Sequence, residues 1–141
     1  MTYKGKYIPK NPQKYKGNPS QIIYRSLWER KFMVYCDRND KVIEWGSEEV
    51  IVPYRSPWDG KIHRYFPDFI VKTSNNQKYM IEIKPYRQID KPKMPKKKTK
   101  SYMRESLEYI KNKAKWSAAK SYCEDNGLTF KLITEKDLGK Y

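Results

Sequence analysis

Asp68, Glu82 and Lys84 are the residues whose types and spacing promise chemistry in this chain. Asp68 lies in HRYFPDFIV (63–71) and the other two in YMIEIKP (79–85); both stretches otherwise read as apolar strands, joined by the turn TSNNQ (73–77). Strand side chains alternate between faces. Tyr79, Ile81 and Ile83 therefore share one face, and Met80, Glu82 and Lys84 the other. Asp68 goes with Ile70, opposite Phe69 and Val71. Pairing through the turn sets Asp68 beside Glu82, with Lys84 two positions on. Adjacent carboxylates repel and bind protons too tightly unless a cation joins them. A hard divalent ion such as Mg²⁺, with Mn²⁺ as a stand-in, relieves the repulsion. Lys84 then stands one step from a metal-bound water, which it can orient or help deprotonate. Phosphodiester hydrolysis needs that combination. The competing reading is a salt bridge on a solvated sheet face, and a bare PD…ExK spacing is short enough to arise by chance. Glu29, in YRSLWERKF, is a third acid; read alone, it is an exposed helix residue pairing with Arg25 or Lys31.

The elements that must position these residues follow from periodicity. A helix is predicted over 21–38, with Asn18 or Ser20 as its cap and Ile23, Leu27, Phe32 and Val34 on its apolar side. VIEWGSEEVIVPY (42–54) reads as extended, SPWDG (56–60) as a turn and KIHRYFPDFIVK (61–72) as the returning strand. KYMIEIK (78–84) is the next strand, stopped by Pro85. A second helix is predicted over about 102–126, with Gly127 as its stop, then a strand over 128–134. Thr134 and Asp137 could cap a last short helix. The fold class is α/β: a single domain over 21–141 with a mixed central sheet flanked by helices, preceded by an irregular basic arm over 1–20.

Charge points to the partner. The net charge is +15, of which the arm supplies +5 and residues 85–104 supply +7. A surplus concentrated in the arm and in a Lys/Pro loop at about 85–101 suggests contact with DNA. Lys4, Lys6, Lys14 and Lys16 of the arm, Arg25, and Arg87, Lys96, Lys97, Lys98 and Lys100 around the loop are the candidate phosphate contacts. Arm tyrosines could stack on bases or pin the arm to the protein's own surface. A basic RNA-binding protein would explain the tails but leave the strand carboxylates without purpose. No stretch is apolar and long enough to span a bilayer. Cys36 and Cys123 read as reduced core thiols, lacking CxxC spacing or a histidine cluster. His63, the only histidine, is expected to face away from Asp68 unless a bulge intervenes. Glu48 or Glu49 could approach the site from a neighbouring strand, and Lys115 and Trp116 are expected to pack the second helix.

SLWERKF, HRYFPDF and EIKP together resemble the PD-(D/E)xK nuclease superfamily and, within it, the TnsA-like endonucleases; KAKWSAAKSYC followed by LTFKLITE resembles that family's closing helix and strand. NPQKYKGNPSQIIYRSLWERKFMVYCDRND, with SEEVIVPYRSPWDGKIHRYFPDF, is similar to the head-completion nucleases of T-even-like tailed phages. The resemblance implies a restriction-endonuclease-like fold, with Glu29, Asp68 and Glu82 at a metal and Lys84 as catalytic lysine. It implies that the Ile83 carbonyl completes the metal shell and that cleavage leaves 5′-phosphate and 3′-hydroxyl ends. It also implies action on packaged DNA before tail attachment, contact with head or portal proteins, and a place in the host cytoplasm and the virion. Pairs of such nucleases are common because cutting two strands takes two sites. A head-completion protein that keeps the fold but only binds DNA or the portal is the alternative.

Overall fold

The computed structural model describes residues 3–141; the first two residues of the arm over 1–20 lie outside the described residues. The arm contributes β1 (Gly5–Lys6), which pairs antiparallel with β2 (Ile23–Tyr24). The first long helix, α1, spans Leu27–Arg38. Next come β3 (Val42–Ser47), β4 (Val52–Arg55), β5 (Ile62–Tyr65), β6 (Phe69–Thr73) and β7 (Lys78–Ile83). The second helix, α2 (Lys100–Asn126), returns the chain to β8 (Thr129–Ile133). The central sheet has the order β3-β6-β7-β8. Its β3–β6 and β6–β7 pairs are antiparallel, while β7–β8 is parallel. This is the expected mixed α/β domain, consistent with a restriction-endonuclease-like fold.

Period-2 alternation decides what each face buries. Phe69, Val71, Ile81 and Ile83 join Phe32, Met33 and Cys36 of α1 in one core, which also takes in Tyr7, Tyr15 and Trp45. Ile70 and Met80 face Ala119 and Cys123 of α2 in the other, together with Val52, Tyr54 and Tyr65. Both cysteines are free and buried. A side chain such as Phe32 or Phe69, at most 2% exposed, contributes about 1.5–3 kcal/mol by leaving water.

Several boundaries differ from the sequence reading. The helix expected from residue 21 begins at Leu27, because Ser26 accepts a hydrogen bond from the Glu29 N–H at 3.1 Å. Ser26-x-x-Glu29 is a stronger start signal than Asn18 or Ser20, which bond to each other in a local turn. The stretch 42–54 breaks at Glu48, held in the left-handed region at φ 54°. The strand expected over 61–72 is interrupted after Tyr65, so β4 and β5 form a separate two-stranded ribbon. The helix α2 starts slightly early, capped by Thr99, and stops at Gly127, whose φ of 70° favours glycine. The last short helix is one 3₁₀ turn, Leu138–Lys140.

The arm is fastened to the domain. Asp37, fully buried near the end of α1, accepts hydrogen bonds from the Tyr7 hydroxyl at 2.6 Å and from the Lys10 and Asn11 N–H groups at 2.8 and 2.9 Å. Lys14 donates to the Asp37 and Asn39 carbonyls at 3.1 and 2.9 Å, which places a cation at the negative end of α1. Tyr15 packs edge-on against Trp45, with ring centroids 4.7 Å apart.

Candidate active site

The candidate site forms where β6 begins and β7 ends. Phe69 pairs with Ile81; one further step of that register sets Asp68 against Glu82, on the face of Met80. Asp68 accepts a hydrogen bond from the Ile83 N–H at 2.8 Å. Its own carbonyl accepts from the Glu48 N–H at 3.1 Å, so the backbone kink at Glu48 helps fix where Asp68 stands. Glu82 is only 5% exposed. Its Oε1 is buried without a hydrogen-bond partner, and its Oε2 lies 3.7 Å from Lys84 Nζ.

Electrostatics set this pair apart from an ordinary surface salt bridge. Burial first, then the charge of Glu82, pushes the Asp68 carboxyl well above its ordinary value. Burial raises Glu82 as well, against the pull of Lys84. Two adjacent carboxylates, one buried and one half-buried, with one nearby ammonium cannot both ionise freely. Glu29 belongs to the same electrostatic group: burial raises it, the Arg25 N–H bond at 3.3 Å lowers it, and Glu82 adds repulsion. Among the described residues, no three His, Cys, Asp or Glu side chains converge tightly enough to hold an ion as they stand. The donor set that does converge is an oxygen pair with one orphaned buried oxygen, which suits a hard cation completed by water and substrate.

Two contributors escaped the sequence reading. The Tyr65 hydroxyl is buried beside Glu82 without reaching good hydrogen-bond geometry to it, and burial followed by the charge of Glu82 raises it far above its usual value. Strict alternation points Tyr65 away from Asp68; the break between β5 and β6 turns it inward. Ser26 is the other, since its cap holds the turn that carries Glu29. Ser26→Ala is expected to cost about 1 kcal/mol in urea denaturation; a loss near zero would show the cap to be idle.

The remaining candidates lie elsewhere. His63 is exposed and pairs with Asp59 at 2.8 Å. Glu48 binds the Arg25 guanidinium at 3.1 and 3.2 Å, and Glu49 accepts from the Tyr15 hydroxyl at 2.9 Å. Among the proposed phosphate contacts, Lys14 is spent on the end of α1 and Lys16 lies 4.0 Å from Glu44. Lys4, Lys6, Lys96, Lys97, Lys98 and Lys100 are exposed. Arg87 lines a cavity of about 600 Å³ with Arg104 and Asn112 of α2. Trp116 is buried, and the Lys115 ammonium lies about 6 Å from the Tyr54 and Tyr65 rings.

Residues 39–135 match the TnsA-like endonuclease N-terminal family, a span that includes Asp68, Glu82 and Lys84 but begins after Glu29. The chain is also 42% identical to the head completion nuclease of Enterobacteria phage T4, over 98% of its own length and 95% of that protein. No helix among the described residues is long and apolar enough to cross a membrane. With residues 39–135, well over half of its length, matching that family, the chain belongs to the TnsA-like endonucleases.

Proposed function

We propose that this protein is a Mg²⁺-dependent DNA endonuclease that acts in phage head completion, on or at packaged DNA. The observation that carries the reading is the Asp68–Glu82 pair, Glu82 buried and Asp68 half-buried, with Lys84 3.7 Å from Glu82, an arrangement unfavourable on its own and productive beside a cation. The head-completion role is supported by the similarity to the T4 nuclease.

Asp68 and Glu82 would hold the ion, with Glu29 approaching from α1. The Ile83 carbonyl is a further ligand for a local reason. Continued two residues past Phe69–Ile81, the register sets Pro67 opposite Ile83. Proline has no N–H to donate, so the ladder bond that Ile83 would accept is never made, while the Ile83 N–H turns to Asp68. The residue before the motif aspartate thus frees a carbonyl beside it. A Mg²⁺ held there would supply Lewis acidity and make the attacking water more acidic. Lys84, as an ammonium, would orient the attacking water, whose proton leaves to solvent, and would face the charge that develops on the phosphate oxygens. The water oxygen would bond to phosphorus as the bond to the 3′ oxygen breaks and that oxygen takes a proton from solvent, leaving 5′-phosphate and 3′-hydroxyl ends. Head or portal proteins are the proposed protein partners, and a second copy would supply the cut on the opposite strand.

Plasmid cleavage tests the reading. Wild-type protein is expected to nick or linearise DNA with Mg²⁺ or Mn²⁺ and not with EDTA, and Lys84→Ala to lower the rate roughly a hundredfold or more. Binding without cutting on duplex, branched and single-stranded DNA would favour the structural, non-cutting alternative.

A further inference from the structure

The β4–β5 ribbon is left over by this chemistry, and its surface is unusual. Val52, Tyr54 and Tyr65 on its inner face pack toward α2 and Met80. Cross-strand pairing of Pro53 with Arg64 and of Arg55 with Ile62 defines an outer face on which all four residues are exposed. Ile62 is 60% exposed, Phe66 beyond the ribbon's end 42%, and Trp58 at its tip 66%. Large apolar side chains left together in water mark a contact surface. The charges among them are of one sign. Arg55 and Arg64 carry the outer face and make no ion pair among the described residues, the Arg55 guanidinium donating one hydrogen bond to the Gly60 carbonyl at the tip. The ribbon's one acid, Asp59, is occupied at the tip by the Lys61 N–H and His63.

We infer that the ribbon is a DNA-docking element that enters a groove of the duplex beside the cleavage site, with Trp58 leading and Arg55 and Arg64 facing the phosphates. Two-stranded ribbons fit the major groove, which is about 12 Å wide. Arginine and apolar surface without acid suits a nucleic acid better than an acidic or neutral protein face. The placement agrees, because the chain runs from Tyr65 through Phe66 and Pro67 directly into Asp68. A four-residue strand is about 13 Å long. With Phe66 and Pro67 between that strand and Asp68 and the tip lying beyond its other end, the ribbon is long enough, at about 3.4 Å per base pair, to reach several base pairs to one side of the cut. The position of the cut rests on the nuclease reading; contact between ribbon and DNA does not.

The test measures binding of a fluorescent duplex in Ca²⁺ across a salt series, with folding of each variant checked by thermal melting. Arg55→Ala with Arg64→Ala is expected to weaken binding at least tenfold and to lower the salt slope by about two, one per lost phosphate contact. Trp58→Ala is expected to weaken it at least fivefold with an unchanged slope. Variants that stay folded and bind within twofold of wild type would overturn the inference and assign the face to a protein partner. Loss of binding in the variants of a wild type that never cuts would uphold the ribbon's role and sink the nuclease reading alone.

Discussion

Asp68→Asn is expected to remove cleavage, by a factor of about a thousand or more, and at the same time to make the metal-free protein harder to unfold. The two effects share one cause. Asp68 and Glu82 repel each other, with Glu29 adding to the repulsion, and a cation held there as proposed would relieve it. An asparagine keeps an oxygen for the Ile83 N–H, which now bonds Asp68 at 2.8 Å, so the local backbone has no reason to move. It removes one negative charge and with it the reason to bind a divalent ion. In EDTA the variant should melt a few degrees above wild type, as expected when about 1 kcal/mol of repulsion is relieved in a domain of this size. In Mg²⁺ the order should reverse, since only wild type gains stability from binding. Differential scanning calorimetry with and without metal, beside a plasmid assay, reads both effects. A variant that melts lower in EDTA would show that Asp68 is held for structure; one that cuts at the wild-type rate would remove it from the chemistry.

The second large effect lies away from the carboxylate pair. Asp37→Ala should destabilise the protein by about 3–5 kcal/mol, because three donors lose their shared acceptor inside the protein. Those donors are the Tyr7 hydroxyl and the Lys10 and Asn11 N–H groups. Burial alone would raise the Asp37 carboxyl, but the bonds it accepts outweigh burial and hold it below its ordinary 3.8. A lowered folded value means that the ionised form favours folding. The contribution is therefore complete above the unfolded value and disappears as pH falls through the folded one. Urea titrations at pH 7 and near pH 3 should show a wide gap between wild type and variant that narrows in acid. An equal gap at both values would mean that the charge of Asp37 is not what holds the arm.

The carboxylate pair was legible in the sequence because both of its determinants are local. Alternation along two short strands and a five-residue turn place Asp68 opposite Glu82 whatever else the chain does. The mixed sheet was legible for the same reason, from a long helix separating two strand patterns. What escaped depends on distant partners. Asp37 reads as an ordinary acid at a helix end until residues of the arm, 26–30 positions earlier, fold over it. Tyr65 reads as facing away until the break before β6 reorients it. Glu48 reads as mid-strand, since nothing in its type signals a left-handed backbone. The start of α1 was misplaced although its signal was local: Ser26 and Glu29 mark the first turn, and the apolar residues at 22 and 23 extended the helical pattern past it.

The parallel pairing of β7 with β8 has a consequence for synthesis of the protein. Glu29, Asp68, Glu82 and Lys84 all leave the ribosome before α2, yet β7 is then an open edge. The Lys84 N–H lacks the Ile133 carbonyl it later bonds at 2.9 Å. Tyr141, whose ring packs 5.3 Å from Phe32 and 4.7 Å from Tyr35, is not yet there to close the core under α1. A pairing that spans the whole α2 crossover forms late, because the intervening chain must be ordered before it is rewarded. A partly translated chain thus holds every acid and the lysine of the site without their geometry. If the site cuts as proposed, cutting power would arrive only with residues 129–141, after the chain has left the ribosome's own RNA behind.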